Sequence, residues 1–327
     1  MILLAADIGG TTSRFCWRDT TAAAPAVTCC YPSRRFSSFI DLLKTVIADQ
    51  KLARIDYACF GLPGPVIDAE VNLTNLPWRI CACDLERQLP IGQVELVNDF
   101  QVAAYGVELL DAGQVQLLHP GRCDPAGNRL VIGAGTGLGV APVYHLGRNF
   151  YPQPSEGGHI DFAPANAVQQ QLLDFLHQCH HQHITYEDIL SGDGVCFIYR
   201  FCCHRSGRCL PSAPFVAADV HALACDGDEV AVEAVRLFVN IYGEFVGNAA
   251  LLWPARAGIY LCGGIGLKFR RWMNSSAFVD GFLNRDKMRP VVEQMPVYLV
   301  LDELLGLRGA LLQAQRRAAA EGVFTLN

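Results

Sequence analysis

Two turns rich in glycine contain the residues of this sequence that are best suited to binding phosphate. The first is Asp7-Ile8-Gly9-Gly10-Thr11, which directly follows an apolar run that begins at Leu3. Because glycine has no Cβ, the backbone N–H groups of this turn can approach a phosphate closely, and the threonine hydroxyl supplies a further donor. The aspartate could hold magnesium through water molecules. Taken alone, the segment is equally consistent with an ordinary tight hairpin that carries an exposed aspartate.

The second glycine-rich turn is Gly133-Ala134-Gly135-Thr136-Gly137-Leu138-Gly139. It lacks the lysine of a nucleotide P-loop and the glycine spacing of a dinucleotide-binding fingerprint, which leaves a second phosphate loop as an open possibility. In that case Thr136 and Gly137 would contact the outer phosphates of a nucleotide. Further along, Gly263 and Gly264 close an apolar run. A turn of this kind lets adenine or ribose approach the backbone, although close packing alone also favours glycine.

Polar side chains outside the turns are candidates for proton transfer and for binding hydroxyl groups. Asn98 and Asp99 follow the apolar run at 94–97, and a carboxylate at a strand end can accept the proton of a hydroxyl group that attacks phosphorus. The two residues could instead simply cap a following helix. Glu156 and His159 flank two glycines, which would let a carboxylate and an imidazole reach the same pair of neighbouring hydroxyl groups.

Rigid elements must position these candidates, and the apolar pattern predicts alternating strands and helices. Short apolar runs predict buried strands at 3–7, 57–61, 94–97, 129–132 and 258–262. Helical periodicity is found over 39–48, 102–109, 167–178, 228–253 and 304–320. Such alternation is typical of an α/β fold. Each glycine-rich turn closes one strand and opens a hairpin, so the chain could contain an internal duplication.

The size and composition of the chain argue against several classes of protein. A length of 327 residues predicts two lobes. We expect a smaller lobe at 1–110, a larger one at 111–302, and a terminal helix at about 303–327 that returns to the first. The net charge of −6 and the lack of basic runs argue against nucleic acid as a partner. No apolar stretch has the length of a membrane span and no signal peptide is recognisable, so we expect a cytoplasmic protein whose 14 cysteines are free thiols.

Five motifs occur in the order found in bacterial glucokinases: the two turns above, Asn98-Asp99-Phe100, Glu156-Gly157-Gly158-His159 and Gly263-Gly264-Ile265. The chain resembles that family over nearly its whole length, and it lacks the Cys-x-Cys-x-x-x-x-Cys zinc motif of the repressor-related sugar kinases. The resemblance implies the two-lobed actin-like ATPase fold, also called ribonuclease H-like, with a mixed five-stranded sheet in each lobe and a cleft between them. It further implies ATP and Mg²⁺, glucose as the sugar phosphorylated on its 6-hydroxyl, and a homodimer.

The resemblance also implies roles for individual residues. Asp99 would be the catalytic base. The residues that would bind the sugar are Asn75, Asn98, Asp99, Glu156, His159 and Glu187. Without the resemblance, Glu187 would be interpreted as a carboxylate at a helix start and Asn75 as part of a plain turn. Thr12 departs from the family pattern, in which asparagine follows Gly-Gly-Thr.

Two clusters of metal-ligand residue types have spacings that match no zinc motif. They comprise His177, Cys179, His180, His181 and His183, and Cys202, Cys203, His204 and Cys209. We therefore expect no structural metal.

Two alternatives to a glucose kinase stay open at this point. One is a kinase for another hexose or an amino sugar, since the sequence does not give the geometry that distinguishes hydroxyl configurations. The other is a non-catalytic sugar-binding regulator. The intact Asp99 argues against the regulator, and no DNA-binding helix pair precedes the first turn.

Overall fold

The computed structural model describes residues 1–21, 25–73, 75–179, 183–210 and 213–320, and it divides the chain into two units. Unit 1 comprises Met1–Asp111, Tyr151–Pro154 and the segment that begins at Asp302. Unit 2 comprises Ala112–Phe150 and Ser155–Leu301. Within the described residues, every helix is too short or too polar to cross a membrane.

Thirteen strands form the sheets of the described part of the chain. They are β1 (Ile2–Ile8), β2 (Thr12–Asp19), β3 (Val27–Pro32), β4 (Ile55–Leu62), β5 (Glu70–Asn72), β6 (Arg79–Cys81), β7 (Ile91–Asn98), β8 (Val115–His119), β9 (Arg129–Ala134), β10 (Leu138–Leu146), β11 (Asn149–Pro152), β12 (Ile259–Cys262) and β13 (Val297–Val300).

The α-helices of the described residues also number thirteen. They are α1 (Phe39–Asp49), α2 (Ala82–Gln88), α3 (Asp99–Gly106), α4 (Ala167–Cys179), α5 (Tyr186–Ile189), α6 (Gly192–Ser206), α7 (Ala217–Cys225), α8 (Glu229–Leu252), α9 (Gly264–Lys268), α10 (Arg270–Met273), α11 (Ser276–Leu283), α12 (Arg289–Val292) and α13 (Leu305–Ala320).

Unit 1 is built on a five-stranded sheet in the order β3-β2-β1-β4-β7. β1 and β2 form an antiparallel hairpin, whereas β1, β4 and β7 run parallel. The central strand β1 is buried on both faces: Leu4 and Ala6 pack with α1, and Leu3 and Ala5 pack with α13. A strand covered on both faces has a continuous apolar sequence instead of an alternating one, which explains the run at 3–6.

Unit 2 is built on a sheet in the order β11-β10-β9-β12-β13-β8, of which only the last two residues of β11 are counted with unit 1. The expectation of five strands in this sheet is wrong, because β8 pairs antiparallel with β13 and adds a sixth strand at the edge. The other five strands repeat the order of unit 1, with an antiparallel hairpin of β9 and β10 followed by the parallel strands β12 and β13. The predicted α/β class with a mixed sheet in each half is confirmed.

The helix α3 is placed by unusually close backbone packing. An alanine Cβ at Gly61 of β4 would lie 2.5 Å from Cγ2 of Val102 on α3. A Cβ at Gly309 of α13 would lie 1.7 Å from the Val102 carbonyl O. Because neither glycine carries a side chain, α3 can pack closely against both β4 and α13. This packing fixes the first turn of α3, where Asn98 and Asp99 are found.

Candidate active site

In unit 1 the parallel strands bring several of the candidate residues to one edge of the sheet. Asp7 of β1 is in register with Gly61 of β4, and Leu62 of β4 is in register with Asn98 of β7. The carboxyl ends of β1, β4 and β7 therefore lie side by side. In open α/β sheets this edge is the usual location of ligand sites.

The first glycine-rich turn connects β1 to β2. The Gly9 N–H donates to the Thr12 carbonyl O at 3.1 Å, and a Cβ at Gly9 would lie only 2.9 Å from the same oxygen. A Cβ at Gly10 would lie 3.1 Å from the Asn75 Cβ. Glycine is therefore needed at both positions for the turn to close and for Asn75 to approach it. The Thr11 and Asn75 residues are exposed.

Asp7 is a half-buried carboxylate at the end of β1. Burial raises the pKa of its carboxyl group, and the Arg14 guanidinium lowers that pKa by a smaller amount. A Cβ at Gly306, in the first turn of α13, would lie 3.2 Å from the Asp7 carboxylate carbon and from Oδ2. The missing side chain at Gly306 therefore leaves space beside the carboxylate. The sequence alone offered no signal for this contact, since 299 positions separate the two residues.

Asn98 and Asp99 are found where β7 ends and α3 begins. Asn98 is the N-cap of α3: its Oδ1 accepts the Phe100 N–H at 2.9 Å, and its Nδ2 donates to the Gly64 carbonyl O at 3.3 Å. Asp99 Oδ1 also accepts the Phe100 N–H at 2.9 Å. The capping interpretation of Asn98 is thus correct, and the helix starts at Asp99, three residues before the predicted position. Asp99 itself is half-buried.

In unit 2 the second glycine-rich turn connects β9 to β10. The Gly135 N–H donates to the Gly137 carbonyl O at 2.8 Å, and the Gly192 N–H donates to the Gly135 carbonyl O at 3.0 Å. Thr136 is exposed. No other part of the described chain lies within 4 Å of a Cβ built at Gly135, so the backbone there is open to a ligand.

The Gly263-Gly264 turn lies against the end of β9, because β12 is parallel to β9. Gly263 has φ +93°, a conformation that favours glycine, and its Cβ would lie 2.5 Å from the Ala134 carbonyl O. A Cβ at Gly264 would meet nothing within 4 Å in the described residues. As predicted, this pair ends a strand and opens a helix, since α9 begins at Gly264.

Glu187 lies against the second turn. Its Oε2 accepts the Leu138 N–H at 2.8 Å, and its Oε1 lies 3.8 Å from Nε2 of His159. A Cβ at Gly137 would lie 2.4 Å from Oε2, so the carboxylate occupies the space that the glycine leaves. Glu187 belongs to the first turn of α5, whose start is fixed by the capping box of Thr185 and Asp188.

Glu156 and His159 form one tight turn beside β10. The His159 N–H donates to the Glu156 carbonyl O at 3.0 Å. A Cβ at Gly158 would lie 1.8 Å from the Leu138 carbonyl O, which explains why glycine is found between them. Both side chains are exposed. Unit 2 therefore brings Glu187 into contact with His159, Gly137 and Leu138.

The clusters of histidine and cysteine contribute no metal site within the described ranges. His183 pairs with Asp161 at 3.2 Å, whereas His180 and His181 lie outside the described residues. A different group, Cys81, Cys83 and Asp84, holds its ligand atoms within 4.8 Å of one another. The signal for it in the sequence is the spacing Cys-x-Cys-Asp.

Comparison with known proteins gives a family match over most of the chain. The family model described as glucokinase matches residues 4–317. The glucokinase of Nostoc punctiforme is 33% identical over 342 residues, covering 96% of this chain and 99% of the relative. The glucokinase of Pseudomonas paraeruginosa is 34% identical over 325 residues, covering 98% of this chain and 94% of the relative.

Solved structures show the same fold. The crystal structure of a glucokinase from an Antarctic psychrotroph superposes with a TM-score of 0.82 at 29% identity, covering 96% of this chain and 99% of the other. A ROK family glucokinase from Streptomyces griseus, solved with glucose and AMPPNP, gives a TM-score of 0.62 at 20% identity, covering 97% and 100%. The fold is therefore that of the actin-like ATPases. From the family model and the relatives over nearly the full length, this chain belongs to the glucokinase family.

Proposed function

We propose that this chain transfers the terminal phosphoryl group of ATP to the 6-hydroxyl of glucose. The observation that carries the proposal is the placement of Asp99 in a chain of the glucokinase family. Asp99 follows β7 at the sheet edge where β1 also ends, and only β4 separates β7 from the strand that leads into the first glycine-rich turn. A carboxylate and a glycine-rich turn whose backbone can face a phosphate are the groups that phosphoryl transfer to a hydroxyl requires.

Asp99 is the proposed catalytic base. A carboxylate that accepts the proton of the attacking hydroxyl contributes roughly 10²- to 10⁴-fold to the rate. Because Asn98 caps α3, the backbone that carries Asp99 is rigid. The Phe100 N–H donates to Asp99 Oδ1 and restricts the carboxylate further. The amide of Asn98 is also proposed to contact the sugar.

Acceptor and donor side chains are proposed to bind the sugar. In unit 2 these are Glu156, His159 and Glu187, and in unit 1 they are Asn75, Asn98 and Asp99. The contact of 3.8 Å between His159 and Glu187 supports this assignment, because a carboxylate and an imidazole so close together can bind neighbouring hydroxyl groups.

The nucleotide is proposed to bind to the three glycine-rich turns. One phosphate is proposed to bind at Ile8, Gly9, Gly10 and Thr11. The outer phosphates are proposed to contact Thr136 and Gly137. Adenine or ribose is proposed to lie against Gly263 and Gly264. The open space at Gly135 and Gly264 supports this, since no described part of the chain fills it.

Asp7 is the residue proposed to hold Mg²⁺. Carboxylate oxygens suit this hard cation, which keeps several of its water ligands. Glycine at position 306 keeps side-chain atoms away from the Asp7 carboxylate, since a Cβ there would lie 3.2 Å from Oδ2. When bound, magnesium neutralises charge on the phosphates. Asp7 itself would only orient the ion and its waters.

A kinase assay with a panel of hexoses tests the proposal. The native chain is incubated with ATP, Mg²⁺ and glucose, mannose, fructose or glucosamine, and the sugar 6-phosphate is measured. We expect glucose to give the highest kcat/KM. Turnover of another hexose in preference to glucose would reassign the substrate, and folded protein that phosphorylates no hexose would favour a sugar-binding regulator.

The homodimer and the cytoplasmic location that the family resemblance implies are also proposals. Light scattering coupled to size-exclusion chromatography tests the first. A mass near twice 35.7 kDa would support it, and a mass near 35.7 kDa would refute it. Fractionation of cells tests the second.

A further inference from the structure

Two buried serines support the turn between β1 and β2 through hydrogen bonds. Ser13 on β2 and Ser33, which directly follows β3, are both 0% exposed. Ser33 Oγ donates a hydrogen bond to the Gly9 carbonyl O at 2.6 Å, and the two serine hydroxyl oxygens lie 2.9 Å apart. A serine has one hydroxyl proton. Because Ser33 uses it on Gly9, Ser13 must be the donor to Ser33, and the chain of hydrogen bonds has one direction.

Ser33 forms a second hydrogen bond with the same turn. Its backbone N–H donates to the Thr11 carbonyl O at 3.0 Å. Ser33 is therefore hydrogen-bonded to the carbonyl groups of both residues that flank Gly10, which are Gly9 and Thr11. Because both carbonyl groups are hydrogen-bonded to the same buried residue, the peptide planes of the turn have little freedom to rotate.

The position of the Gly9 carbonyl determines where the Gly10 N–H points. All peptide bonds of the described chain are trans, and the C=O and N–H of a trans peptide point in opposite directions. Since the Gly9 oxygen points at Ser33, the Gly10 N–H points away from the buried serines. An N–H donor whose orientation is already fixed loses little conformational entropy when it binds an anion, whereas a donor that rotates freely must first be ordered.

We propose that Ser33, supported by Ser13, is a positioning residue that directs the Gly10 N–H at a phosphate group of ATP. The inference rests on the proposed phosphoryl transfer and adds a residue that touches neither substrate. Loss of the Ser33 hydroxyl frees the Gly9 carbonyl, so the Gly10 N–H is no longer held in one orientation. Nucleotide binding and turnover then weaken, and sugar binding does not change.

A purely structural role for the serines makes a different prediction. If the hydrogen bonds only stabilise the hairpin, removing them lowers thermal stability and leaves the affinity for nucleotide unchanged. Ser38 provides a matched control, because its Oγ accepts the Asp41 N–H as the N-cap of α1 and makes no contact with the turn. Ser38→Ala thus removes one serine hydroxyl of unit 1 that stabilises a helix start.

The test compares Ser33→Ala, Ser13→Ala and Ser38→Ala by calorimetric binding of ADP and by steady-state kinetics. For Ser33→Ala we expect the Kd for ADP and the KM for ATP to rise about tenfold. We also expect kcat to fall and the KM for glucose to stay within twofold. For Ser13→Ala, which leaves the bond between Ser33 and Gly9 in place, the rise should be about threefold. Ser38→Ala should bind ADP like the native chain.

Each outcome decides the role of Ser33. A Ser33→Ala variant that loses thermal stability but keeps the native Kd for ADP overturns the proposal. If that variant does not fold, Ser13→Ala carries the test, and native ADP affinity in it is the contrary result. If the native chain binds ADP but phosphorylates no hexose, the proposed function fails. The ADP affinities of the variants then still decide whether Ser33 positions the Gly10 N–H. A native chain that binds no ADP overturns both.

Discussion

Replacing Gly137 by alanine should displace the Glu187 carboxylate and weaken the binding of glucose. The new Cβ would lie 2.4 Å from Oε2, about 1 Å closer than an ordinary van der Waals contact. A shift of that size stretches the hydrogen bond from the Leu138 N–H, now 2.8 Å, beyond the usual limit. A hydrogen bond to a charged group contributes ~1.5–3 kcal/mol. We expect the displaced carboxylate to lose a contact of similar strength with glucose. Because Glu187 is partly exposed, the lower value applies, and it corresponds to about a tenfold rise in the KM for glucose.

The assay is steady-state kinetics with glucose as the varied substrate, together with thermal unfolding. Gly135→Ala is the control for stability, because no described atom lies within 4 Å of its Cβ and its unfolding temperature should not fall. Glu187→Gln provides a double-mutant test. If Gly137→Ala acts through the carboxylate, it should raise the KM for glucose less in the Glu187→Gln background than in the native chain.

Two results would refute this reasoning. A Gly137→Ala variant with the native KM for glucose and native stability would show that the carboxylate can move without consequence. Equal effects of Gly137→Ala in the native and Glu187→Gln backgrounds would show that the glycine acts independently of Glu187.

Three further predictions concern unit 1. Burial raises the pKa of Asp7 above its ordinary 3.8, so ionisation of Asp7 destabilises the fold as pH rises through that raised value. Asp7→Asn should therefore raise the unfolding temperature at pH 7, with a smaller gain at pH 3.5. An equal gain at both pH values would contradict this. Gly309→Ala places a Cβ 1.7 Å from the Val102 carbonyl O and should lower the free energy of unfolding by about 3 kcal/mol, measured by urea denaturation. Gly306→Ala crowds the Asp7 carboxylate at 3.2 Å and should lower kcat about tenfold at nearly native stability; native kcat would argue against a role for Asp7.

The local parts of the fold could be predicted from the sequence. Residues 2–6 of β1 are apolar because both faces of the strand are covered, and Asp7 and two glycines mark its end. Gly263 and Gly264 likewise mark the end of β12 and the start of α9. These features depend on neighbours in sequence, which is why pattern and turn chemistry were sufficient.

The features that the sequence did not reveal depend on distant residues. β8 was missed because it is a short edge strand with several partly exposed residues, and such a strand has no continuous apolar run. The start of α3 at Asp99 was missed because the apolar periodicity begins only at Val102. The contacts of Gly306 with Asp7 and of Ser33 with Gly9 join segments that are far apart in sequence. The roles of the individual site residues stay predictions.

The comparison of Asp99→Ala with the native chain tests the central claim most directly. The measurement is kcat for glucose phosphorylation at saturating ATP and Mg²⁺, with the unfolding temperature recorded for both proteins. Asp84→Ala, which removes a carboxylate at the surface of unit 1, serves as the control. We expect kcat to fall by about 10²- to 10⁴-fold in Asp99→Ala, with an unfolding temperature close to native and native kcat in the control. A folded Asp99→Ala protein that keeps kcat within a fewfold of the native value would contradict the assignment of Asp99 as the catalytic base.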